Sequence, residues 1–269
     1  MSTVLHYDIV VIGSGPAGQK AAIQGAKAGK RVAMIEREPG VGGGCVYRGT
    51  IPSKTLRESA LQMDRLKRSS ASPDMRAQSN IVISTLMRRL DEVVTSHGDY
   101  MMNQLTRNGV ILFHGRAHFL SDSLIEMLTV DGMKQTLAAD TIVIATGSRP
   151  RAPDDIPIDH EHILDSDSIL SMIYLPRSLT VLGGGIIALE YASIFATLGV
   201  QVTIIDRADR PLQFFDAELV RTFVQSFEQE GGHYCGGQAA RDVRWDGISQ
   251  VVTTLQDGQV FMSDKMLVA

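Results

Sequence analysis

The chain has 269 residues, 44% of them hydrophobic, and a formal net charge of −4. A chain of this size can form one or two ordinary hydrophobic cores. The nearly balanced charge gives no reason to expect nucleic acid or an anionic membrane as a partner. Two cysteines are too few for a disulfide-stapled secreted fold. Because the start of the chain shows neither a signal peptide nor a membrane-spanning run, we expect a soluble cytoplasmic protein with no membrane partner.

The first part of the chain predicts a strand, a helix and a second strand. Residues 7–12 (YDIVVI) are a β-branched apolar run that suits a parallel strand buried on both faces. Residues 16–29 predict an alanine-rich helix, and RVAMIE at residues 31–36 predicts the second strand. These elements form a βαβ unit of about the usual 30 residues.

Two more helices and a group of strands are predicted to follow. Apolar residues recur at helical spacing over residues 53–68 and 83–107. Between these helices, residues 69–80 are polar and predict an exposed loop. Residues 110–144 predict strands, with a turn at Asp131-Gly132.

A second βαβ unit begins after the proline-rich segment at residues 150–157, which predicts a linker. Residues 179–185 (LTVLGGG) predict a strand and a glycine turn, residues 186–198 a helix, and residues 200–206 (VQVTIID) a strand. A helix at 216–230 and several short strands complete the chain. The predicted domains are residues 1–150 and residues 151–269.

An internal repeat with an offset of 170 residues relates the two units. Its members are Gly13, Gly15, Gly18 and Glu36 in the first copy and Gly183, Gly185, Ala188 and Asp206 in the second. The first glycine permits the tight strand-to-helix turn, the second lets a pyrophosphate approach the backbone, and the third position must be small for close packing. The helix N-terminus would face the phosphates, and the acid would accept hydrogen bonds from a ribose.

The repeat therefore predicts an α/β fold with two Rossmann-like dinucleotide-binding domains. A glycine-rich loop that carries Cys45 follows Glu36 directly, whereas the second copy has no such loop. This difference favours a bound flavin at the first copy and an exchanging nicotinamide coenzyme at the second. Two tight turns without a ligand remain the alternative. Neighbouring His160 and His162 are expected in an extended, solvated loop, and no Cys/His spacing predicts a metal site.

Four motifs carry a family resemblance over essentially the whole chain. GSGPAG, the GGGC…GTIPSK loop, ATGSRP and GGGIIALE occur in the order seen in the two-dinucleotide flavoprotein disulfide reductases. The loop resembles the C-x4-C loop of that family, but Thr50 occupies the position of the second cysteine. GGGC with GTIPSK, DSDSILSM at 165–172 and EYASIF at 190–195 look most like the soluble pyridine nucleotide transhydrogenases, a subgroup that is similar in lacking the redox disulfide.

The resemblance implies FAD-dependent transfer of a hydride from NADPH to NAD⁺, by alternate occupation of one nicotinamide site. A disulfide needs Cα atoms within about 7 Å. With Thr50 in place Cys45 lacks a local partner, and Cys235 is expected to lie elsewhere, in the second domain. The cofactors implied are FAD, with NAD(H) and NADP(H) as exchanging substrates.

The resemblance also implies individual site residues. Lys54 would pair with Glu190 beside the reactive edge of the flavin and, with Cys45, form the catalytic group. The alternative is an ordinary surface pair of Lys54 with Glu58. The remaining residues expected to contact FAD are Arg37, Gly43, Gly44, Cys45 and Thr50 around the loop, Ala117 near the adenine, and Thr146 with Gly147 in the ATG turn.

The second copy carries both an acid and arginines at its ribose end. Asp206 favours the free 2′-hydroxyl of NAD, whereas Arg207 or Arg210 can accommodate the 2′-phosphate of NADP. Both together suit an enzyme that accepts both coenzymes. The alternative is that the arginines form a solvated surface cluster.

A complete family member, by resemblance, continues for roughly as much chain again and forms a homo-oligomer through a C-terminal dimerisation domain. We expect that domain, and with it the oligomer surface, to be absent from this chain. Three hypotheses remain open. The chain is a transhydrogenase active with its missing half, a nucleotide-binding module without turnover, or a relative of dihydrolipoamide dehydrogenase, against which Thr50 argues.

Overall fold

The computed structural model describes residues 4–69 and 83–269. The chain divides into two compact units, Met1–Pro52 with Asp91–Arg149 and Ser53–Leu90 with Pro150–Ala269. The described residues 53–69 and 83–90 thus group with the second unit, whereas the sequence analysis placed them in the first domain. The reason is visible in side-chain bonds, since Lys54 and Arg57 bind residues of the second unit. The polar loop predicted at 69–80 falls almost wholly outside the described residues.

The first unit contains five strands and the helices between them. In chain order the elements are β1 (Leu5–Ile12), α1 (Pro16–Lys27), β2 (Val32–Glu36), α2 (Gly43–Tyr47), the start of α3 (Thr50–Ser69), most of α4 (Ile83–Arg107), β3 (Ile111–Phe119), β4 (Leu124–Thr129) and β5 (Lys134–Ile144). All the predicted helices of this half are present, and α2 is an additional short helix that the glycine-rich sequence did not predict.

The five strands close into a barrel in which β1 lies between β2 and β5 and runs parallel to both. Strand β3 pairs parallel with β2 and antiparallel with β4, which pairs antiparallel with β5. The predicted turn at Asp131-Gly132 joins β4 to β5, and Gly132 adopts a φ of 84° there. The turn prediction is therefore confirmed.

Strand β1 is buried on both faces, as its sequence predicts. Val10 lies in a cluster with Ala33 and Ile35, whereas its neighbour Val11 packs with Met34 on the other face. All four β2 residues before the terminal Glu36 are also buried. Burial on both faces fixes the register of these strands, because a slip of one residue would exchange the two sets of side chains.

The second unit contains a parallel sheet, an antiparallel sheet and three helical segments besides the parts of α3 and α4. Its further elements are β6 (Ile163–Asp165), a 3₁₀ turn (Ser168–Ser171), β7 (Ser178–Leu182), α5 (Ile186–Thr197), β8 (Gln201–Ile205), α6 (Ala217–Gln229), β9 (His233–Cys235), β10 (Ala240–Trp245), β11 (Val251–Leu255), β12 (Val260–Ser263) and β13 (Lys265–Val268). The helices predicted at 186–198 and 216–230 are thus confirmed to within one residue at each end.

The parallel sheet has the strand order β6-β13-β7-β8-β9, and β10-β11-β12 form the antiparallel sheet. The last strand in sequence, β13, therefore lies inside the sheet between β6 and β7. Its Met266 and Leu267 are fully buried. No helix within residues 4–69 or 83–269 has the length and hydropathy of a membrane span.

The loop that holds His160 and His162 is solvated at His160 and Glu161, as expected, but it is a compact turn and not an extended segment. His160 has a φ of 60°, and the Asp159 Oδ1 atom accepts hydrogen bonds from the backbone N–H groups of Glu161, His162 and Ile163. The His162 ring stacks on Trp245 with centroids 3.7 Å apart. The described residues contain no group of three or more His, Cys, Asp or Glu side chains that could hold a metal ion.

Candidate nucleotide sites

The first glycine turn joins β1 to α1 and is packed against the end of β5. The Gly13 N–H donates to the Ile35 carbonyl at 2.8 Å, and Gly13 has a φ of 102°. A Cβ atom at this position would lie 2.3 Å from the Ala145 carbonyl oxygen. Both the backbone conformation and the close approach therefore require glycine.

Glu36, at the end of β2, is held in place by hydrogen bonds from the same turn. Its Oε2 atom accepts from the Ser14 N–H at 2.8 Å and from the Ser14 hydroxyl at 2.6 Å. Its Oε1 atom accepts from the Glu38 N–H at 2.9 Å. Burial by itself would raise the pKa of Glu36, but the hydrogen bonds from Glu38 and Ser14 together lower it. Glu36 is therefore an oriented carboxylate next to the glycine turn.

The glycine-rich loop after Glu36 lies against this turn. The Gly42 N–H donates to the Ser14 hydroxyl at 3.1 Å, and a Cβ atom on Gly43 would lie 2.9 Å from the Cα of Gly15. Cys45 is half-buried in α2, and Thr50 is the first residue of α3. Both cysteines of the chain are free thiols in the structure.

The other residues expected at the first site have varied surroundings. The Arg37 Nε atom lies 3.3 Å from Glu38 Oε1 in an ion pair. Ala117 is half-buried in β3 and packs beside the core cluster around Val10. Thr146 is exposed, and Gly147 follows it with a φ of 68°. Contacts of these residues with FAD stay a prediction.

The second glycine turn repeats the geometry of the first. The Gly183 N–H donates to the Ile205 carbonyl at 2.9 Å, Gly183 has a φ of 121°, and a Cβ atom there would lie 2.0 Å from the Ala269 carbonyl oxygen. Ala188, the counterpart of Gly18, is fully buried. The predicted repeat is therefore a repeat of three-dimensional structure.

Asp206 has a partner that the sequence analysis missed. The Tyr234 hydroxyl lies 3.2 Å from Asp206 Oδ2 and 2.9 Å from the Ala208 carbonyl oxygen. Asp206 and the exposed Arg207 line a cavity of about 220 Å³. Arg210 instead donates to the carbonyls of Gln213 and Phe215 at 3.0 and 3.1 Å. No motif marks Tyr234, because it reaches Asp206 only through the pairing of β8 with β9.

Two side-chain bonds join α3 to α5 within the second unit. The Lys54 ammonium donates to the Glu190 carboxylate, so the pairing expected from the resemblance is present. One turn further along both helices, the Arg57 guanidinium donates to the Ser193 hydroxyl at 3.2 Å. The role of the Lys54–Glu190 pair beside a flavin stays a prediction.

Both glycine turns fit the pyrophosphate of a dinucleotide. Gly15 and Gly185 are the N-cap residues of α1 and α5, and neither helix has a side-chain hydrogen bond to its cap. Apart from the adjacent residues and the backbone of the same helix, no heavy atom of the described residues lies within 4 Å of a Cβ atom built on Gly15 or Gly185. The backbone N–H groups at each helix start are thus open to an anion, which the helix dipole also favours.

These features define an α/β protein with two glycine-rich strand-to-helix turns of one design. The family model described as pyridine nucleotide-disulphide oxidoreductase matches residues 7–269. The chain belongs to this family.

Several curated relatives share the name soluble pyridine nucleotide transhydrogenase. The one from Mycobacterium bovis is 41% identical over 268 residues, which cover 97% of this chain and 56% of the relative. The one from Pseudomonas fluorescens is 40% identical, with 98% of this chain and 57% of the relative covered. The chain therefore spans about half the length of the curated relatives that it matches.

Solved structures agree with the fold. The HOCl-induced flavoprotein disulfide reductase RclA from Escherichia coli matches with a TM-score of 0.84 at 26% identity, covering 98% of this chain and 56% of that chain. LpdA from Mycobacterium tuberculosis matches with a TM-score of 0.88 at 26% identity, covering 99% of this chain and 58% of that chain.

Proposed function

We propose that this chain supplies the FAD site and the nicotinamide coenzyme site of a pyridine nucleotide transhydrogenase that transfers a hydride from NADPH to NAD⁺. The observation that carries the proposal is the repetition of one turn geometry, with its N–H bonds of 2.8 and 2.9 Å and its acid at the end of the next strand. The name shared by the curated relatives supports the reaction. The cytoplasmic location expected from the sequence is part of the proposal.

The first turn would hold FAD. The open backbone N–H groups at the start of α1 would bind its pyrophosphate, and Glu36 would accept hydrogen bonds from its ribose. The bonds from Ser14 and Glu38 keep the Glu36 side chain ionised and oriented for that purpose. When bound, FAD supplies the hydride-transfer chemistry, and the protein provides binding, orientation and exclusion of water.

By the family resemblance, the Lys54–Glu190 pair would place a cation beside the flavin ring. The Glu190 carboxylate accepts a hydrogen bond from the Lys54 ammonium, and the Arg57–Ser193 bond joins α3 to α5 one turn away. A preorganised charge near the reacting atoms lowers the energy of a transition state in which charge develops.

The single sulfur of the loop separates this proposal from disulfide reduction. A dithiol relay needs two thiols that can form a bond, whereas Thr50 occupies the second position and both cysteines are free. Hydride exchange between two nicotinamide coenzymes requires no thiol. The dihydrolipoamide dehydrogenase-like alternative would need a second sulfur at residue 50.

The second turn would bind NAD(H) and NADP(H) in alternation. Asp206 can accept a hydrogen bond from a free 2′-hydroxyl, and exposed Arg207 lines the same cavity and can approach a 2′-phosphate. We assign the phosphate contact to Arg207 rather than Arg210, because the Arg210 guanidinium already donates to two loop carbonyls.

A reconstitution experiment tests the proposal. The chain is loaded with FAD, passed through gel filtration and mixed anaerobically with NADPH, and reduction of a thionicotinamide NAD analogue is followed. We expect the chain to bind FAD and to transfer hydride far more slowly than a full-length relative, since it spans about half the length of its curated relatives. Lys54→Met should slow that residual transfer further, with Glu58→Gln on the same helix as the matched control. Loss of FAD from the wild type, or reduction of lipoamide instead of the NAD analogue, would contradict the proposal.

A further inference from the structure

Tyr234 places a single hydroxyl proton between two acceptors at the ribose end of the second turn. Its oxygen lies 3.2 Å from the Asp206 carboxylate and 2.9 Å from the Ala208 carbonyl. A phenol has one O–H donor, so at any moment one of these acceptors receives the proton. The hydroxyl can therefore change its partner by rotation about one bond, without a movement of the chain.

In the first turn, the acid at the end of the next strand receives its hydrogen bond from a different kind of side chain. There the Ser14 hydroxyl donates to Glu36 at 2.6 Å, and the counterpart of Ser14 in the second turn is Gly184. A Cβ atom on Gly184 would lie 1.9 Å from Asp206 Oδ2, so the carboxylate occupies the space that a serine side chain needs. A donor for Asp206 must come from elsewhere, and Tyr234 supplies it from β9.

The protonation state of Tyr234 suits a donor. Burial of the ring, and then the charge and hydrogen bond of Asp206, raise the pKa of Tyr234 above its usual value. The phenol therefore keeps its proton at neutral pH. Since the carboxylate is acceptor-only when ionised, the bond between the two runs from Tyr234 to Asp206.

We infer that Tyr234 determines coenzyme specificity at this site, because its hydroxyl lets an acid-bearing turn accept a 2′-phosphate as well as a 2′-hydroxyl. The inference rests on the proposed function. A carboxylate repels a 2′-phosphate, and a bond from Tyr234 draws negative charge away from Asp206. When NAD binds, a carboxylate with about four lone-pair sites can accept from both Tyr234 and the ribose. When NADP binds, the same hydroxyl can turn towards the phosphate.

The effect of Tyr234 on a 2′-phosphate can be measured by comparing the binding of two small nucleotides. The probes are 2′,5′-ADP, which carries the 2′-phosphate, and 5′-AMP, which does not, titrated calorimetrically into the 269-residue chain. We expect Tyr234→Phe to raise the Kd of 2′,5′-ADP by about tenfold, the size of one hydrogen bond to a charged group. The Kd of 5′-AMP should stay within about twofold, because the ring and the Asp206 carboxylate remain.

Two further variants distinguish a change in coenzyme specificity from a general loss of binding. Tyr191→Phe removes a buried hydroxyl that has no hydrogen-bond partner among the described residues, and it should leave both affinities unchanged. In an Asp206→Asn background, Tyr234→Phe should change the ratio of the two Kd values by less than it does with Asp206 present, since the repelling charge is gone.

The outcomes are distinguishable. An unchanged ratio in Tyr234→Phe, or an equal loss of both probes, overturns the inference and leaves the proposed coenzyme site intact. A wild-type chain that binds neither probe contradicts the proposed site itself. The inference is supported if the ratio of the two Kd values shifts as expected in Tyr234→Phe and shifts less in the Asp206→Asn background. Tyr234 then assists the 2′-phosphate by reducing the repulsion from the Asp206 charge.

Discussion

The packing of the first glycine turn predicts a large effect for one added methyl group. Gly18 is buried in α1, and a Cβ atom there would lie 2.0 Å from the Gly13 carbonyl oxygen and 3.2 Å from the Ala145 Cβ. Carbon and oxygen normally approach no closer than about 3.3 Å. The helix or the turn would therefore have to move by about 1 Å.

The expected change in the free energy of unfolding is the difference between two opposing effects. Overpacking of this kind costs about 3 kcal/mol when the neighbour is backbone, whereas alanine in a helix is about 1 kcal/mol better than glycine. We expect Gly18→Ala to lower the free energy of unfolding of the first unit by about 2 kcal/mol. The matched control is Gly15→Ala, because Gly15 has a φ of −62° and a Cβ atom there would meet no atom of the rest of the described chain within 4 Å, its neighbours and own helix apart.

Urea unfolding measures both variants. Far-UV circular dichroism follows the whole chain, and fluorescence of the single tryptophan, Trp245, follows the second unit. The free energy of unfolding of Gly15→Ala should stay within about 0.5 kcal/mol of the wild-type value. Its methyl group would nevertheless hinder the pyrophosphate of FAD. A wild-type midpoint for Gly18→Ala would refute the packing argument, and an equal loss in both variants would show that the clash is not its cause.

Two further predictions concern Glu36 and the cysteines. Because the pKa of folded Glu36 lies below its ordinary value of 4.5, its stabilising contribution is present above that pH and is lost as the pH falls through the folded pKa. The stability difference between the wild type and Glu36→Gln, measured by urea unfolding, should therefore be largest near neutral pH and shrink on acidification; a difference that is the same at every pH would contradict this. Thiol titration of the denatured, unreduced protein should find both Cys45 and Cys235 reactive, and a disulfide between them under native conditions would refute the single-sulfur interpretation.

Local patterns in the sequence predicted the helices, the strands and the two glycine turns. The helix at 186–198 and the turn at Asp131-Gly132 follow from residue spacing and from glycine chemistry, which act over a few neighbouring residues. The fingerprint residues and the acids are equally local, because each motif has the same internal spacing. Spacing also located Glu36 and Asp206, but it did not show what each carboxylate binds.

The tertiary structure decided the partners of those residues. Tyr234 reaches Asp206 because β9 lies beside β8 in the parallel sheet, and Lys54 reaches Glu190 because α3 lies against α5. Arg210, which the sequence offered equally with Arg207, is bound to loop carbonyls instead. Parallel strands and packed helices bring together residues that are far apart in the chain. A local sequence pattern does not show which strands will be adjacent in the sheet or which helices will pack together.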